Sequence, residues 1–282
     1  MNETAWPKRA FKDRTAIVTG GAAGIGRALC ERLAEFGGSV VVADIDGHAA
    51  EQVAALIRQR GAQAEAVKAD VSDATQIEAL VRDAAARHGR LDFMFNNAAV
   101  AAVGELRDGN LEDFRRVVDV NLFGVVHGTI AAYRVMLRQG FGNIVNVSSM
   151  TGLMPTPILS AYSTTKWAIV GFSASVRVEA AGLGVNVSVA CPSLVQTDIS
   201  ERSAYWNVRK EDYLRWLPWK RMMLTPPEAA AAILRGTARN KAIIVFPFSA
   251  AIGWRVYRIC PFVFGPLFRR TLEGFRTLRL KP

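Results

Sequence analysis

The sequence predicts an α/β fold built on a doubly wound parallel sheet. Three observations predict it. From Arg14 onward, short β-branched runs alternate with longer Ala/Leu/Glu/Arg stretches of helical period. The short runs are almost continuously apolar, as strands covered on both faces require. A glycine-rich turn, TGGAAGIG (Thr19 to Gly26), joins the first run to the first helical stretch.

The elements follow in order. TAIVTG reads as a buried strand, and IGRALCERLAEFG as a helix that stops at Gly37. SVVVADI and AEAVKADV are strands on either side of the helix HAAEQVAALIRQRG. ATQIEALVRDAAARHG is helical, LDFMFNNA a strand, and LEDFRRVVDVNLFGVVHGTIAAYRVMLRQG one long helix. GNIVNVSS and VNVSVACP are strands flanking the helix SAYSTTKWAIVGFSASVRVEAAGLG. After Thr197 the rhythm is lost. A loop of about residues 198–225, aromatic and basic, is expected to serve the substrate. PPEAAAAILRGTARN and AIIVFP restore one helix and one strand. This gives a single domain over residues 1–247 and a basic amphipathic extension over 248–282.

Composition narrows the function. Half of the 282 residues are hydrophobic and 21% are charged, which excludes a disordered chain. The net charge is +10. Arg255, Arg258, Arg269, Arg270, Arg276, Arg279 and Lys281, against Glu273 alone, place +6 of it in the extension, so the basicity is local. Cys30, Cys191 and Cys260 are widely spaced and odd in number, which suits a reducing, cytoplasmic setting. His48, His88 and His127 show no ligand spacing, and no metal is expected. The N-terminal segment lacks the apolar core of a signal peptide. No run reaches the roughly 18 apolar residues of a membrane span.

The glycine turn has the chemistry of a phosphate cradle. Gly20, Gly24 and Gly26 let the backbone approach a pyrophosphate at a helix N-terminus. Ile25 lies within the same turn. Asp44 ends the second strand, where a carboxylate accepts hydrogen bonds from adenosine ribose hydroxyls and repels a 2′-phosphate. No Arg or Lys stands inside the turn, so NAD is expected rather than NADP.

Tyr162 and Lys166, in YSTTK, stand four residues apart on one helix face. A tyrosine of pKa ~10 is a poor base at neutral pH, and a nearby ammonium is expected to lower that value. Ser148 and Ser149 close the preceding strand, where a hydroxyl can hold a substrate oxygen beside the tyrosine.

With these motifs in order, the chain resembles the short-chain dehydrogenases/reductases. The likeness runs from about Asp13 to Asp198. It rests on TGGAAGIG, Asp44, Asp70-Val71, NNA at Asn96 to Ala98, Asn121, SSMTG, YSTTK and PSLVQT. The resemblance implies a Rossmann fold and a catalytic tetrad of Asn121, Ser149, Tyr162 and Lys166. Ser149 is preferred to Ser148 because the family's serine precedes the tyrosine by thirteen residues. By the same resemblance, Tyr162 exchanges the proton and Ser149 orients the substrate oxygen. Lys166 binds the nicotinamide ribose, and Asn121 holds a water leading to solvent. Asp70, Val71 and Asn97 would flank the adenosine, and Val195 and Thr197 the carboxamide. Two positions depart from the family pattern: Ala99 replaces the glycine of NNAG, and Ser193 that of PG.

The substrate is expected to be lipophilic, such as a steroid, terpenoid or long-chain alcohol or ketone. Leu153, Met154, Pro155 and Leu159, with Tyr205 and Trp206 from the loop, are the expected walls, and Trp216 and Trp219 lie nearby. An NADPH-dependent reductase of acyl or sugar carbonyls is the alternative, and a non-catalytic basic binding protein a remote one. No nucleic acid is expected. The resemblance implies a homodimer through the long helices that carry Asn121 and Tyr162, or a homotetramer that the C-terminus helps to build. In the extension, Ile252, Val256 and Ile259 share one face. Phe268, Leu272 and Phe275 share another, with Arg269, Arg270 and Arg276 opposite. The pattern fits a helix lying in a membrane surface, so peripheral contact with the cytoplasmic face of a membrane is expected.

Overall fold

A computed structural model describes residues 6–217 and 220–280. Trp219 and Lys281 therefore lie outside the described residues. The main sheet has seven parallel strands: β1 (Thr15–Thr19), β2 (Ser39–Asp44), β3 (Ala64–Lys68), β4 (Phe93–Asn96), β5 (Gly142–Val147), β6 (Val185–Pro192) and β7 (Ile243–Phe246). Their spatial order is β3-β2-β1-β4-β5-β6-β7. Ile17 of β1 lies between Val41 of β2 and Met94 of β4, which fixes the central register.

Helices cover both faces. They are α1 (Trp6–Phe11), α2 (Gly24–Glu35), α3 (Gly47–Gln59), α4 (Ala74–His88), α5 (Leu111–Val118), α6 (Gly124–Gln139), α7 (Ser160–Glu179), α8 (Lys210–Trp216) and α9 (Pro226–Ala238). Strand alternation sorts the core into two layers. Ala16, Val18, Phe93 and Phe95 point toward Leu29, Leu33, Val53 and Ile233. Ile17, Val41 and Met94 point the other way, toward Leu80, Ala132 and Met136. Side chains buried as fully as Leu29 or Ile17 each contribute roughly 1.5–3 kcal/mol. The helix boundaries follow local chemistry. Asp46, Asp73 and Asn110 cap α3, α4 and α5 with their side chains, and Thr225 with Glu228 forms a capping box on α9.

The predicted long helix runs from Leu111 to Gln139, interrupted by a π-turn at Asp119–Phe123. It is long and apolar enough to cross a membrane, with mean hydropathy 1.3. Gly128, Ala132 and Met136 are nevertheless buried against the protein, so it is a core helix of the sheet.

The loop after β6 is tied down. Ala204–Tyr205 pairs in parallel with Ala102–Val103 from the loop after β4. Beyond β7, the chain continues as α10 (Phe248–Ile259), a short 3-10 turn (Pro261–Phe264) and α11 (Gly265–Arg276). The strand order reverses between β1 and β4. Loops at the carboxyl ends of the strands on either side of this reversal part and leave a crevice, the usual ligand site of such sheets.

Candidate active site

A cleft of about 820 Å³ opens over the carboxyl ends of the strands. The glycine turn forms its floor at one end. Gly20 has φ +63°, and a Cβ there would come within 2.9 Å of the Ala98 Cα. Gly24 has φ +52° and faces the Thr197 side chain. Gly26 does not line the cleft. It packs beneath the turn, where a Cβ would sit 2.0 Å from the Gly20 carbonyl oxygen. The N-cap of α2 is Ala23, which offers no side-chain acceptor. The first N–H groups of α2 are thus open to an outside anion. A dinucleotide's pyrophosphate fits this uncapped cradle, where Gly20 and Gly24 leave the backbone open.

Asp44 is buried at the end of β2. One carboxylate oxygen accepts from Ala22 N at 3.1 Å, and the other from Asp46 N at 3.1 Å. Sequence reasoning missed a third partner. Arg202, 158 residues away, brings Nη1 within 3.3 Å of Asp44 Oδ1. Its guanidinium is partly exposed and reaches from the loop after β6 to the Asp44 end of the cleft. Arg116 on α5 supports it by donating to the Arg202 carbonyl oxygen at 3.3 Å. No sequence signal links residues so far apart.

Asp70, Val71, Ile25, Val195 and Thr197 line the cleft as expected. Asn97 also reaches it, yet its amide serves the turn: Nδ2 donates to the Thr19 oxygen at 3.0 Å and the Gly20 oxygen at 3.3 Å. Its role here is to position the glycine loop. Ala99 and Ser193 both avoid positive φ, so the two departures from the family pattern need no glycine.

The four expected catalytic side chains come from three places: the π-turn (Asn121), the end of β5 (Ser149) and α7 (Tyr162 and Lys166). Ser149 follows β5, and its Oγ accepts from Thr151 N at 3.2 Å while hydrogen-bonding the Tyr162 hydroxyl. Ser148 instead donates to the Lys166 carbonyl oxygen at 2.8 Å and is buried, which leaves Ser149 facing the cleft. Lys166 is buried, and its Nζ donates to the Val147 oxygen at 2.9 Å, 5.2 Å from the Tyr162 ring centre. Asn121, fully buried in the π-turn, clamps the backbone of Val100. Its Nδ2 donates to the Val100 oxygen at 2.9 Å, and its Oδ1 accepts from Val100 N at 2.8 Å. Nδ2 also reaches Thr165 Oγ1 at 3.2 Å. A π-turn of this kind is common at functional sites.

One electrostatic expectation is corrected. Lys166 does not lower the Tyr162 pKa in the free protein. Burial pushes the Tyr162 hydroxyl up to about 12, with Ser149 opposing it. Burial pulls Lys166 down to about 7. Desolvation disfavours the charged form of each group, which raises the tyrosine and lowers the lysine.

The substrate end differs from the expectation in its details. Leu159 and Tyr205 line the cleft, joined by Val103, Tyr213, Leu214, Leu217 and Met223. Leu153, Met154, Pro155 and Trp206 do not. Leu153 packs into the core with Val125 and Ile169. Trp206 is buried against Val100 and Val117, and its Nε1 donates to Asp113 Oδ2 at 2.9 Å. Trp216 packs on Phe275.

Comparison with known proteins places this geometry. A family profile described as short chain dehydrogenase matches residues 14–207. The chain belongs to the short-chain dehydrogenase family. This dehydrogenase is 35% identical over 234 residues to the 3-oxoacyl-[acyl-carrier-protein] reductase of Synechocystis sp., covering 83% of this chain and 92% of that one. It is 40% identical over 194 residues to the probable oxidoreductase EphD of Mycobacterium tuberculosis, 68% of this chain but only 33% of that longer protein. Its fold matches a short-chain dehydrogenase/reductase from Burkholderia phymatum, solved in complex with NAD. That match has a TM-score of 0.82 and 27% identity, over 90% of this chain and 95% of that one.

Proposed function

We propose that this dehydrogenase interconverts a lipophilic secondary alcohol and its ketone with NAD(H). The observation that carries the reading is the meeting of Tyr162, Ser149 and Lys166 where the glycine cradle gives way to an apolar wall. A bound nicotinamide dinucleotide supplies or accepts the hydride. The residues of the chain handle the rest. Ser149 holds the substrate oxygen and shares its hydrogen bond with Tyr162. Tyr162 moves the proton to or from that oxygen. Lys166, which titrates near neutrality, holds the nicotinamide ribose and stands ready to relay the proton. Asn121 fixes the wall that faces them.

Asp44 supports NAD over NADP through its buried carboxylate, and the Burkholderia relative was solved with NAD. The apolar wall of Val103, Leu159, Leu214, Leu217 and Met223 supports a lipophilic substrate. A second reading, an NADPH-dependent reductase of acyl carbonyls, is favoured by Arg202 beside Asp44 and by the Synechocystis relative. A homodimer through α6 and α7 completes the reading. Phe123, Ile130 and Leu137, seven residues apart, expose one apolar face there, and Trp167 and Val178 another.

The test is Tyr162→Phe, assayed with NAD against a panel of lipophilic alcohols. Turnover is expected to fall by about 10²–10⁴-fold with cofactor affinity retained. Undiminished turnover would overturn the mechanism. Tighter binding of NADPH than NADH would favour the second reading.

A further inference from the structure

The two faces of the C-terminal extension have different fates. The face of α11 that carries Phe268, Leu272 and Phe275 turns inward. Phe275 is 1% exposed and packs with Val103 and Val208 behind the pocket wall. Arg276 Nη2 donates to Glu105 Oε2 at 2.9 Å, and Arg279 Nε to Asp108 Oδ2 at 2.8 Å. Trp254 packs on the core beside Leu153. These contacts fix the extension to the body and set which side faces out.

The outward side is apolar and basic together. Phe248, Ile252, Val256 and Ile259 share one face of α10, and Ile259 is 79% exposed. After the break at Pro261, Phe262 is 76% and Val263 56% exposed, and Leu267 carries the exposed apolar series into α11. Arg255, Arg258, Arg269 and Arg270 are exposed along the same two helices. Among the described residues, none of these four makes a salt bridge, unlike Arg276 and Arg279.

We propose that this surface docks the enzyme onto an anionic lipid bilayer. Protruding aliphatic and phenyl groups suit the acyl boundary, and guanidinium groups without an acidic partner, Arg258 among them although it lies over the Trp254 ring at 5.5 Å, suit the phosphates above it. Length decides the mode. At 1.5 Å per residue, twelve-residue helices such as α10 and α11 reach about 18 Å, well short of a hydrocarbon core about 30 Å thick. The helices therefore lie in the surface plane. Charge decides the occupant. A second copy seated face to face here would bring two arginine clusters that lack acidic partners together, whereas anionic headgroups neutralise them. No residue of this surface lines the active-site cleft, so docking does not depend on the substrate.

The test uses the full chain and its Ile259→Glu/Phe262→Glu variant, both substitutions being at exposed sites outside the active site. Sedimentation with phosphatidylcholine vesicles is compared with sedimentation with vesicles containing 30% phosphatidylglycerol. The wild-type chain is expected to bind the anionic vesicles at least tenfold more tightly, with binding weakened by salt. The variant is expected to lose that binding while keeping its Tm. Absent vesicle binding, or equal binding by the variant, overturns the proposal. So does a change in oligomeric mass caused by the substitutions without vesicle binding, which would make this face an interface between copies. Retention on duplex DNA in place of vesicles also overturns it. An Arg255→Glu/Arg258→Glu variant separates the electrostatic part, and unchanged preference for anionic vesicles there would refute the headgroup contact.

Discussion

Tyr162 and Lys166 show that a motif fixes proximity without fixing charge. Their spacing is legible in YSTTK, but the energetic outcome depends on burial, which only the folded chain sets. Lys166 titrates near 7 in the free protein and near its ordinary 10.5 when unfolded. Between those values the unfolded chain binds more protons, so this lysine's penalty is relieved as pH rises from about 7 toward 10.5. Lys166→Met is therefore expected to raise Tm relative to wild type most at or below neutral pH, with the gain fading by pH 10, as thermal denaturation across that range would show. Arg202 is the opposite case, a residue the sequence could not flag. It partly neutralises Asp44 and competes with ribose hydroxyls for the same carboxylate. Arg202→Ala is expected to sharpen discrimination, raising the ratio of NAD to NADP affinity by several-fold in fluorescence titrations. An unchanged ratio would remove Arg202 from cofactor choice.

At the level of elements, the glycine turn was the most readable feature and still divides into two jobs. Gly20 and Gly24 need their left-handed backbone and open space toward a ligand. Gly26 needs room toward its own chain. Gly26→Ala would force Cβ against the Gly20 carbonyl oxygen, so the turn must open. We expect more than tenfold weaker cofactor binding and a loss of about 1–3 kcal/mol in stability, measured by titration and chemical denaturation. The substrate loop was less readable because its short strand sends neighbours to opposite sides. Tyr205 reaches the cleft, and Trp206, one residue on, drops into the core with Asp113 as its partner. Leu153, just after the 3-10 turn at Met150–Gly152, is hidden for a different reason: it packs with Val125 and Ile169. Strand and helix order, in contrast, could be read from periodicity alone, since the inner strands β1, β2 and β4 are almost wholly buried, and the edge strand β3, with Glu65 and Lys68, is not.

At the level of the whole molecule, the extension is held by charges 171 residues apart in sequence. Amphipathic spacing identified both of its apolar faces but could not say which one is covered. Glu105 and Asp108 decide that, and neither stands out in sequence. The Arg276 hydrogen bond, with Arg107 beside it, holds Glu105 below its ordinary carboxylate range. Its contribution is present above the unfolded pKa and is lost as pH falls through the lowered folded value. At neutral pH, Glu105→Gln is expected to weaken the attachment by about 1 kcal/mol. Amide exchange over Gly265–Arg276 should then quicken several-fold, and unchanged exchange would show that Phe275 alone suffices.

The missing side-chain cap on α2 has a consequence for how long the protein survives. Capping a helix costs a residue position, and here that position is left to whatever anion arrives. An anion bound there would satisfy N–H groups that the chain's own side chains leave open. Ligand at a hundred times its dissociation constant adds about 2.7 kcal/mol to the stability of the form that binds it. That is comparable to burying another large apolar side chain. The turnover of such a protein in a cell would slow as its nucleotide becomes abundant and quicken as it becomes scarce, while the core stays the same.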